Sequence, residues 1–440
     1  MLGTFANMFR IPELKKKIFV TLGILVVYRF GCLLPVPGVD VDALKSFFES
    51  RQGGVAELFG MVTMLSGGAL KQATVFALGI MPYISATIIF QLLTGVIPAL
   101  EKLRKEGESG LKKIRQYERY TTVALCLIQG TMLVKWLSGV VTPDNRYVFT
   151  GGGFTMLTAL ITMTTGTMLL MWLGDQITQS GVGNGISLII MAGIVSRLPS
   201  AVQETWVENP DPGTVIFLLV TFVFVVAGVV LITQGQRRIP VQQAKHTRGR
   251  RVYGGQRQYL PFRVNHAGVM PVIFASTLLI FPKMIVKALG NRWSFWMSVH
   301  DRAFEGDTWI YVVLYVMLIY FFAYFWTSLQ FKPKDLSENL QDYGSFIPGI
   351  RPGRRTAAYL ENVMTHITLA GATFLAAVAI MPQLLRIGMN IGGYTAAFYG
   401  GTGLLIVVGV ALDLVEKIES HLMMRHYEGF MRKGRIRGRR

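Results

Sequence analysis

Long apolar runs recur along this chain, and they constrain its fold more than any other feature of the sequence. Two of the clearest cover residues 18–34 and 214–232. A helix needs roughly 20 residues to cross a hydrocarbon core about 30 Å thick, and backbone groups inside lipid must be paired within the segment. Only 16% of the residues are charged, compared with about 25% in ordinary soluble domains. The sequence therefore predicts an all-α, polytopic membrane protein rather than a soluble protein with buried core helices.

The lengths of the apolar runs predict about ten membrane spans. The first run is followed by Pro35 and Gly38 instead of a cleavage site, so it is predicted to remain as the first anchor. The predicted spans lie near residues 18–34, 74–94, 119–138, 154–173, 184–200, 213–233, 267–288, 308–329, 358–381 and 397–416.

The distribution of Lys and Arg orients these predicted spans. In the predicted topology, 32 of the 44 basic residues lie on the side that holds both termini, and 11 lie on the other side. Arg29 falls within the first span, toward its outer end. Because basic loops are retained in the cytoplasm, we predict that both termini are cytoplasmic. The net charge of +19 then reflects membrane topology rather than a general affinity for nucleic acid.

Two predicted cytoplasmic loops, 234–266 and 329–357, are unusually basic. The first contains eight Lys and Arg residues and no Asp or Glu, and the second combines basic residues with Pro and Gly. Such charge can face anionic lipid headgroups. It can equally form a docking surface for a large acidic partner, such as ribosomal RNA or a soluble motor protein. Composition leaves both interpretations open.

A weak internal repeat relates the two halves of the chain. The polar stretch 204–213 separates five predicted spans in residues 1–204 from five in residues 205–440, so similar halves would face opposite ways across the membrane. The second span of each half contains a matching phrase, at 79–86 and 268–275, with Gly, Met, Pro, Ile and Ala at the same offsets. The proline is predicted to kink each helix. Helices interrupted at matching positions indicate a transport path, which predicts a pore between spans 2 and 7.

Ionisable residues are almost absent from the predicted membrane interior. Asp175 and Asp413 lie at cytoplasmic ends of spans, whereas coupled transporters and proton pumps usually carry such residues at mid-membrane. The sequence has no phosphate-binding loop, and its six histidines lack the spacing of metal ligands. We therefore predict a passive, gated conduit that is not an enzyme and uses no cofactor or metal. A solute carrier, an intramembrane enzyme and a lipid scramblase are the alternatives.

A short apolar segment follows the first predicted span. Residues 58–70 number about 13, which is too few to cross the membrane and is typical of re-entrant or interfacial segments. The segment ends near the glycine pair Gly67-Gly68. It could form an interfacial helix on the outer face, or a movable stopper in the pore.

Several motifs together carry a resemblance to a known family. They are FALGIMPYISA at 76–86, WLGDQIT at 172–178, GVGNGIS at 181–187, IPGIRPG at 347–353 and GGTGLLIVV at 400–408. In sequence and in order they resemble the signatures of the SecY family of protein-conducting channels, and the resemblance covers essentially the whole chain. One departure is the pair Arg354-Arg355, which adds charge after the fourth motif.

The resemblance implies a specific architecture. It consists of ten transmembrane helices in two pseudo-symmetric, inverted halves of five around a central hourglass pore, which opens laterally to lipid between spans 2 and 7. In this family a ring of bulky aliphatic side chains closes the pore, and a ring made only of isoleucine would exclude ions by dewetting. The ring positions implied here are Ile80, Ile84, Ile186, Ile190, Ile273 and Ile406.

The resemblance also assigns a plug, a lateral gate and a partner-binding surface. The plug corresponds to residues 59–70, and its named members are Phe59, Gly60, Met61, Leu65, Gly67, Gly68 and Leu70. The lateral-gate candidates are Ser85, Thr87, Ser276 and Thr277. The residues expected to receive SecA or the ribosome are Arg248, Arg250, Arg251, Arg351 and Arg354.

The function implied by the resemblance is passage of unfolded secretory polypeptides through the ring, with lateral release of apolar segments into the bilayer. The expected location is the bacterial inner (plasma) membrane. The expected partners are the small membrane subunits SecE and SecG, the SecA ATPase, the ribosome, polypeptides that carry signal sequences, and anionic lipids. The motor or the ribosome would supply the energy.

Overall fold

The computed structural model divides the chain into two compact units. Unit 1 comprises Met1–Gln203 and Val410–Arg440, and unit 2 comprises Glu204–Gly409. The division after Gln203 lies beside the predicted boundary at 204, although the end of the chain groups with unit 1. The structure describes residues 11–50, 69–70, 72–140, 142, 146–208, 212–243, 246–248, 251–253, 257–290, 295, 297–298, 308–389 and 402–433.

In the described residues, nine helices precede the basic loop at 234–266, and the ninth leads directly into it. The first eight are α1 (Pro12–Gly31), α2 (Val41–Ser50), α3 (Met81–Val96), α4 (Pro98–Lys105), α5 (Glu108–Gly139), α6 (Gly153–Ser180), α7 (Gly185–Val195) and α8 (Leu198–Glu208).

Unit 2 contributes further helices and five short strands. Its last helix, α14, begins in unit 2 and continues into unit 1. The helices are α9 (Pro212–Gln234), α10 (Met270–Gly290), α11 (Trp309–Gln330), α12 (Pro333–Asp342), α13 (Arg354–Met389) and α14 (Thr402–Lys433). The strands are β1 (Gln236–Gln243), β2 (His246–Arg248), β3 (Arg251–Tyr253), β4 (Arg257–Arg263) and β5 (Ser345–Phe346).

The predominantly helical, membrane-spanning fold is confirmed, and every predicted span overlaps at least one helix. Within the described ranges, α5, α6, α9, α11 and α13 are each long and apolar enough to cross a membrane, and the bent pair α3–α4 would add a sixth segment. Predicted span 5 is divided by a turn at Ser196 and Arg197, between α7 and α8. Several helices extend beyond their predicted spans, because helical hydrogen bonding continues past the edge of the hydrocarbon.

The prediction that the proline of the repeated phrase, Pro82 or Pro271, kinks its helix is wrong. In both copies of the repeated phrase the helix begins at the methionine, Met81 in α3 and Met270 in α10, so the proline occupies the first turn. Proline is tolerated there because its missing N–H has no helical partner in any case. The preceding glycines, Gly79 and Gly268, have φ angles of +58° and +63°, a region that strongly favours glycine. Each phrase therefore starts a helix instead of bending one.

Helix α6 is the centre of unit 1, where it contacts α1, α3, α5 and α7. Met163 and Leu170 of α6 are fully buried. The Thr167 hydroxyl donates to the Gly79 carbonyl over 3.2 Å, and Gly166 faces the Val75 backbone so closely that a Cβ there would overlap the Val75 carbonyl. These contacts attach the turn segment 74–80, predicted to be helical, to the middle of α6.

The end of the chain joins unit 1 through its own apolar cluster. Ile418 of α14 is buried with Leu14 of α1 and Val182 of the α6–α7 turn. The Val182 N–H also donates to the Thr21 hydroxyl of α1 over 3.2 Å. This packing explains why residues after Val410 group with unit 1 and not with the sequence half that contains them.

The basic loop 234–266 forms a sheet, a feature that charge and apolar patterning did not predict. Strand β1 pairs with β4 in antiparallel register, with Ile239 opposite Leu260, and β5 extends the sheet on the other edge of β1. Ile239, Val241 and Phe262 point inward and are buried. They pack on one face of α13, whose buried members there are Leu360, Val363, Met364 and Ile367.

Predicted span 9, at 358–381, lies within α13. The first turns of α13, residues 354–367, pack against the sheet. We call the assembly of β1, β4, β5, α12 and these first turns of α13 the basic platform.

Candidate pore, gate and basic platform

Two of the predicted ring residues flank the start of α3. Ile80 is the N-cap residue, 4% exposed, and its carbonyl accepts the Ile84 N–H over 3.0 Å. Ile84 is half-buried one turn further on. The positive φ of Gly79 and the Thr167 hydrogen bond to it hold this helix start in place. The position of Ile80 and Ile84 is therefore set by α6.

The next two ring residues, Ile186 and Ile190, lie on α7 in the same unit. Asn184 caps this helix, since its side-chain oxygen accepts the Ile186 N–H over 3.2 Å. The Thr178 hydroxyl accepts the Gly185 N–H over 2.9 Å. A Cβ at Gly185 would overlap the Gly174 carbonyl of α6. The motif at 181–187 is thus a tight α6–α7 turn that presses Ile186 against α6.

The last two ring residues lie in unit 2. Ile273 is on the first turn of α10 and Ile406 is on the first turns of α14, and both are buried. A Cβ at Gly409 would lie 3.2 Å from the Val269 side chain, so α14 approaches the start of α10 within unit 2. Ile80 and Ile273 both follow a glycine of positive φ in the repeated phrase. Ile80 comes directly after Gly79, and Ile273 comes five residues after Gly268.

The lateral-gate candidates differ in their hydrogen bonding. Ser276 is buried and donates to the Ile273 carbonyl of its own helix over 2.9 Å. Ser85 is half-buried on α3. The Thr87 hydroxyl oxygen is buried and has no hydrogen-bond partner in the described part of the chain. The side chain of Thr277 lies outside the described residues.

Sequence reasoning missed a neighbour of Thr87. The side-chain oxygen of Gln91, one turn further along α3, is also buried and without a hydrogen-bond partner among the described residues. Residues four apart share a helix face, and a buried polar atom without a partner is destabilising. The signal was present in the sequence, because Gln91 is the one strongly polar side chain in the apolar stretch 84–93 besides Ser85 and Thr87.

Most of the predicted plug falls outside the described residues. This applies to Phe59, Gly60, Met61, Leu65, Gly67 and Gly68. Leu70 is described, and it is buried in the core of unit 1. The preceding Ala69 is also buried, and its carbonyl accepts the Thr74 N–H over 2.9 Å. The segment is therefore held at its carboxyl end.

The platform presents part of the predicted partner-binding set at its surface. Arg351 and Arg354 are exposed on either side of Gly353. The Ser337 hydroxyl of α12 donates to the Gly353 carbonyl over 2.8 Å, and the Thr356 hydroxyl donates to the Arg351 carbonyl over 3.0 Å. The turn that carries both arginines is thus fixed to α12 and α13.

The other predicted arginines lie on or beside the hairpin of β2 and β3. Arg248 and Arg251 are opposite each other in its antiparallel register, while their side chains and the whole of Arg250 lie outside the described residues.

Tyr259 is exposed on β4, two residues after the exposed Arg257. Burial, and then the charge of Arg263, lower the pKa of His266, so this imidazole adds no charge to the platform at pH 7.

Comparison with known proteins gives matches over nearly the whole chain. The SecY family profile matches residues 74–415. The protein translocase subunit SecY of Streptomyces galbus is 46% identical over 455 residues, which cover 98% of this chain and 100% of that protein.

Solved structures match the fold at lower identity. One is a SecY protein whose plug domain stabilises the closed state of the translocation channel and maintains a membrane seal, with a TM-score of 0.59 at 18% identity over 94% of this chain and 96% of that one. Another is canine Sec61 in a ribosome–channel complex from the endoplasmic reticulum, with a TM-score of 0.57 at 16% identity over the same shares.

The helical membrane fold, the repeated helix starts and these matches define a protein-conducting membrane channel. The resemblance read from the sequence motifs is therefore confirmed. The chain belongs to the SecY family. It is a channel subunit and not an enzyme, so the family argues against the solute carrier, the intramembrane enzyme and the lipid scramblase.

Proposed function

We propose that this chain is the central, pore-forming subunit of a protein translocation channel in the bacterial plasma membrane. Unfolded secretory polypeptides pass along its axis, and sufficiently apolar segments leave sideways into the bilayer. The observation that carries the proposal is the full-length relationship to a protein translocase subunit SecY, at 46% identity. Both termini face the cytoplasm, as the positive-inside rule indicates, and the platform is therefore cytoplasmic.

The six isoleucines form the constriction of this pore, and residues 59–70 form its stopper. Isoleucine side chains offer no hydrogen bonds, so a narrow ring of them resists water and ions yet yields to a passing chain. The assignment of residues 59–70 as a stopper is supported by the related SecY protein, whose plug domain maintains a membrane seal. The unpartnered oxygens of Thr87 and Gln91 give α3 a polar face that can exchange partners when a signal helix enters.

Deleting part of the plug tests the channel directly. Residues 59–68 are removed while Ala69 and Leu70 stay, since both are buried in the core of unit 1. We expect the intact protein with its small partner subunits to be electrically tight in a planar bilayer, and the deletion to give resting ion currents. If neither form conducts ions, the assignment of residues 59–68 to a plug loses its support.

A control variant separates the loss of the stopper from the shortening of the connection. In it, residues 59–68 are replaced by a Gly/Ser linker of the same length, which conserves the span between Phe47 and Ala69 but offers no apolar surface. Currents from both the deletion and the linker variant support a sealing role. Currents from the deletion alone would mean that strain in the shortened connection opens the pore.

The platform docks the partner that supplies energy, either the ribosome or the SecA ATPase. Its exposed arginines suit an acidic surface, and canine Sec61, which has the same fold, occurs in a ribosome–channel complex. The small subunits SecE and SecG belong to the same proposed assembly. Anionic lipid headgroups contact the basic side chains that the partner leaves free.

Charge reversal at the platform tests this docking. We expect Arg351→Glu to keep the turn intact, because the Arg351 side chain is exposed and its backbone carbonyl accepts the Thr356 hydroxyl. We expect affinity for ribosomes or SecA to fall roughly fivefold, or about 1 kcal/mol, at low salt, with less effect at high salt. Arg146→Glu, an exposed residue on the opposite predicted side, is the matched control. Equal affinities of the two variants would contradict the assignment.

A further inference from the structure

Thr167 of α6 uses its hydroxyl differently from neighbouring threonines of the same helix. Its side chain is 0% exposed, and the hydroxyl donates to the Gly79 carbonyl over 3.2 Å, between residues 88 positions apart in the chain. A threonine within a helix can instead donate to the carbonyl of its own helix four residues earlier. The threonines of α6 that do so are Thr158, Thr162, Thr164 and Thr178. Thr167 thus directs its one donor to a segment outside α6.

The Gly79 carbonyl depends on this donor. Gly79 is buried, has a φ of +58° and directly precedes Ile80, the N-cap residue of α3. In the described part of the chain, no backbone N–H donates to its carbonyl. A buried carbonyl without a donor is destabilising. The Thr167 hydroxyl therefore supplies the hydrogen bond that this helix start needs.

The earlier part of the same segment is held by backbone hydrogen bonds. The Val36 N–H donates to the Ala73 carbonyl over 2.9 Å, and the Val75 N–H donates to the Leu34 carbonyl over the same distance. Ala73 has a φ of +40°, a strained value for alanine that persists only where the surroundings enforce it. This part of the segment is therefore fixed to the chain that follows α1. At Gly79, in contrast, the hydrogen bond to the carbonyl comes from a side chain that can rotate.

The Thr167 hydroxyl also has a second acceptor. Rotation about χ1 brings it to the Met163 carbonyl, four residues earlier in α6, which is the kind of acceptor that Thr162 and Thr164 already use. The donor therefore stays satisfied if the start of α3 moves away from α6. The cost of breaking the bond falls on the Gly79 carbonyl, which can accept a hydrogen bond from water once the pore is wet.

We propose that the Thr167–Gly79 hydrogen bond is a latch that sets the resting position of Ile80 and Ile84, which makes Thr167 a positioning residue for the pore seal. The bond holds the start of α3 on α6 in the sealed channel, and the hydroxyl returns to its own helix when α3 moves. The inference rests on the proposed function, because it requires that these two isoleucines belong to the constriction.

Removal of the hydroxyl tests the latch in the purified complex. We expect Thr167→Val, which has nearly the same shape, to raise the resting ion current in a planar bilayer roughly tenfold, because the Gly79 carbonyl loses its donor in the sealed state. Export of a reporter with a defective signal sequence should also rise, while export with an intact signal should not fall. A residue that only stabilised the fold would lower both kinds of export.

Three further variants separate the hydroxyl from side-chain size and from a folding defect. Thr167→Ser keeps the hydroxyl and should conduct as the wild type. Thr167→Ala lacks the hydroxyl and should conduct as Thr167→Val does, although its side chain is smaller. Thr122→Val removes a hydroxyl from α5 that is also on a residue 0% exposed, but that donates within its own helix, to the Glu118 carbonyl over 2.7 Å. This variant should conduct as the wild type.

A Thr167→Val channel as tight as Thr122→Val would overturn the proposal, and so would a Thr167→Ser channel that leaks as much as Thr167→Val. The deletion of residues 59–68, measured alongside, distinguishes this failure from failure of the proposed stopper. If the deletion conducts and Thr167→Val does not, the stopper stands and the latch fails. If Thr167→Val conducts and the deletion does not, the latch stands and the plug assignment fails. If neither conducts, both fail.

Discussion

We expect the replacement of Ile84 and Ile273 with asparagine to make the resting channel conduct ions and to relax its selectivity for signal sequences. Both residues lie at the starts of the two repeated helices, α3 and α10. Each asparagine amide offers water the hydrogen bonds that isoleucine lacks, which we take to lower the free energy of wetting by about 1 kcal/mol per site. Two such changes raise the wetted population roughly thirtyfold. The measurement is planar-bilayer conductance of the complex.

The control for this variant keeps the ring apolar. Ile84→Leu/Ile273→Leu has nearly the same volume and no polar atoms, so a dewetted constriction should persist and the conductance should stay at the wild-type level. If the asparagine and leucine variants conduct equally, the seal does not depend on the polarity of these positions. Ile84 and Ile273 would then not belong to the constriction.

Substituting Gly185 by alanine has the largest expected effect on stability. The new Cβ would overlap the Gly174 carbonyl, and backbone atoms cannot move aside as a flexible side chain does. Overpacking of this kind costs about 1–3 kcal/mol. Because α7 begins at Gly185, the displacement also moves Ile186 and Ile190. We expect a lower melting midpoint of the detergent-solubilised complex, together with slower translocation.

Gly23→Ala is the matched control, since it makes the same chemical change in helix α1, which overlaps predicted span 1. A Cβ at Gly23 meets no atom within 4 Å, and alanine is the better helix former by about 1 kcal/mol. Its melting midpoint should equal or slightly exceed that of the wild type. A Gly185→Ala protein as stable as Gly23→Ala would mean that the α6–α7 turn can relax without loss.

The basic residues illustrate what loop charge predicts and what it does not. The asymmetry of Lys and Arg along the chain predicts which loops share a side, because that preference acts on each loop through its own charges, and this topology stays a prediction. The same charges did not indicate a sheet in residues 234–266. Its strands become stable through Ile239, Val241 and Phe262 packing on α13, whose contributing residues lie about a hundred positions further along the chain.

Sequence by itself determined the helical membrane fold and the family, because a helix in lipid satisfies its backbone hydrogen bonds locally and therefore requires a long apolar run. Tertiary structure decided where α3 begins, since Gly79 is held by Thr167 of α6. It also decided that Arg29 donates to Ser196 and that the side-chain oxygen of Gln91 has no hydrogen-bond partner in the described part of the chain. Such contacts join residues far apart in sequence, so a local sequence pattern cannot predict them.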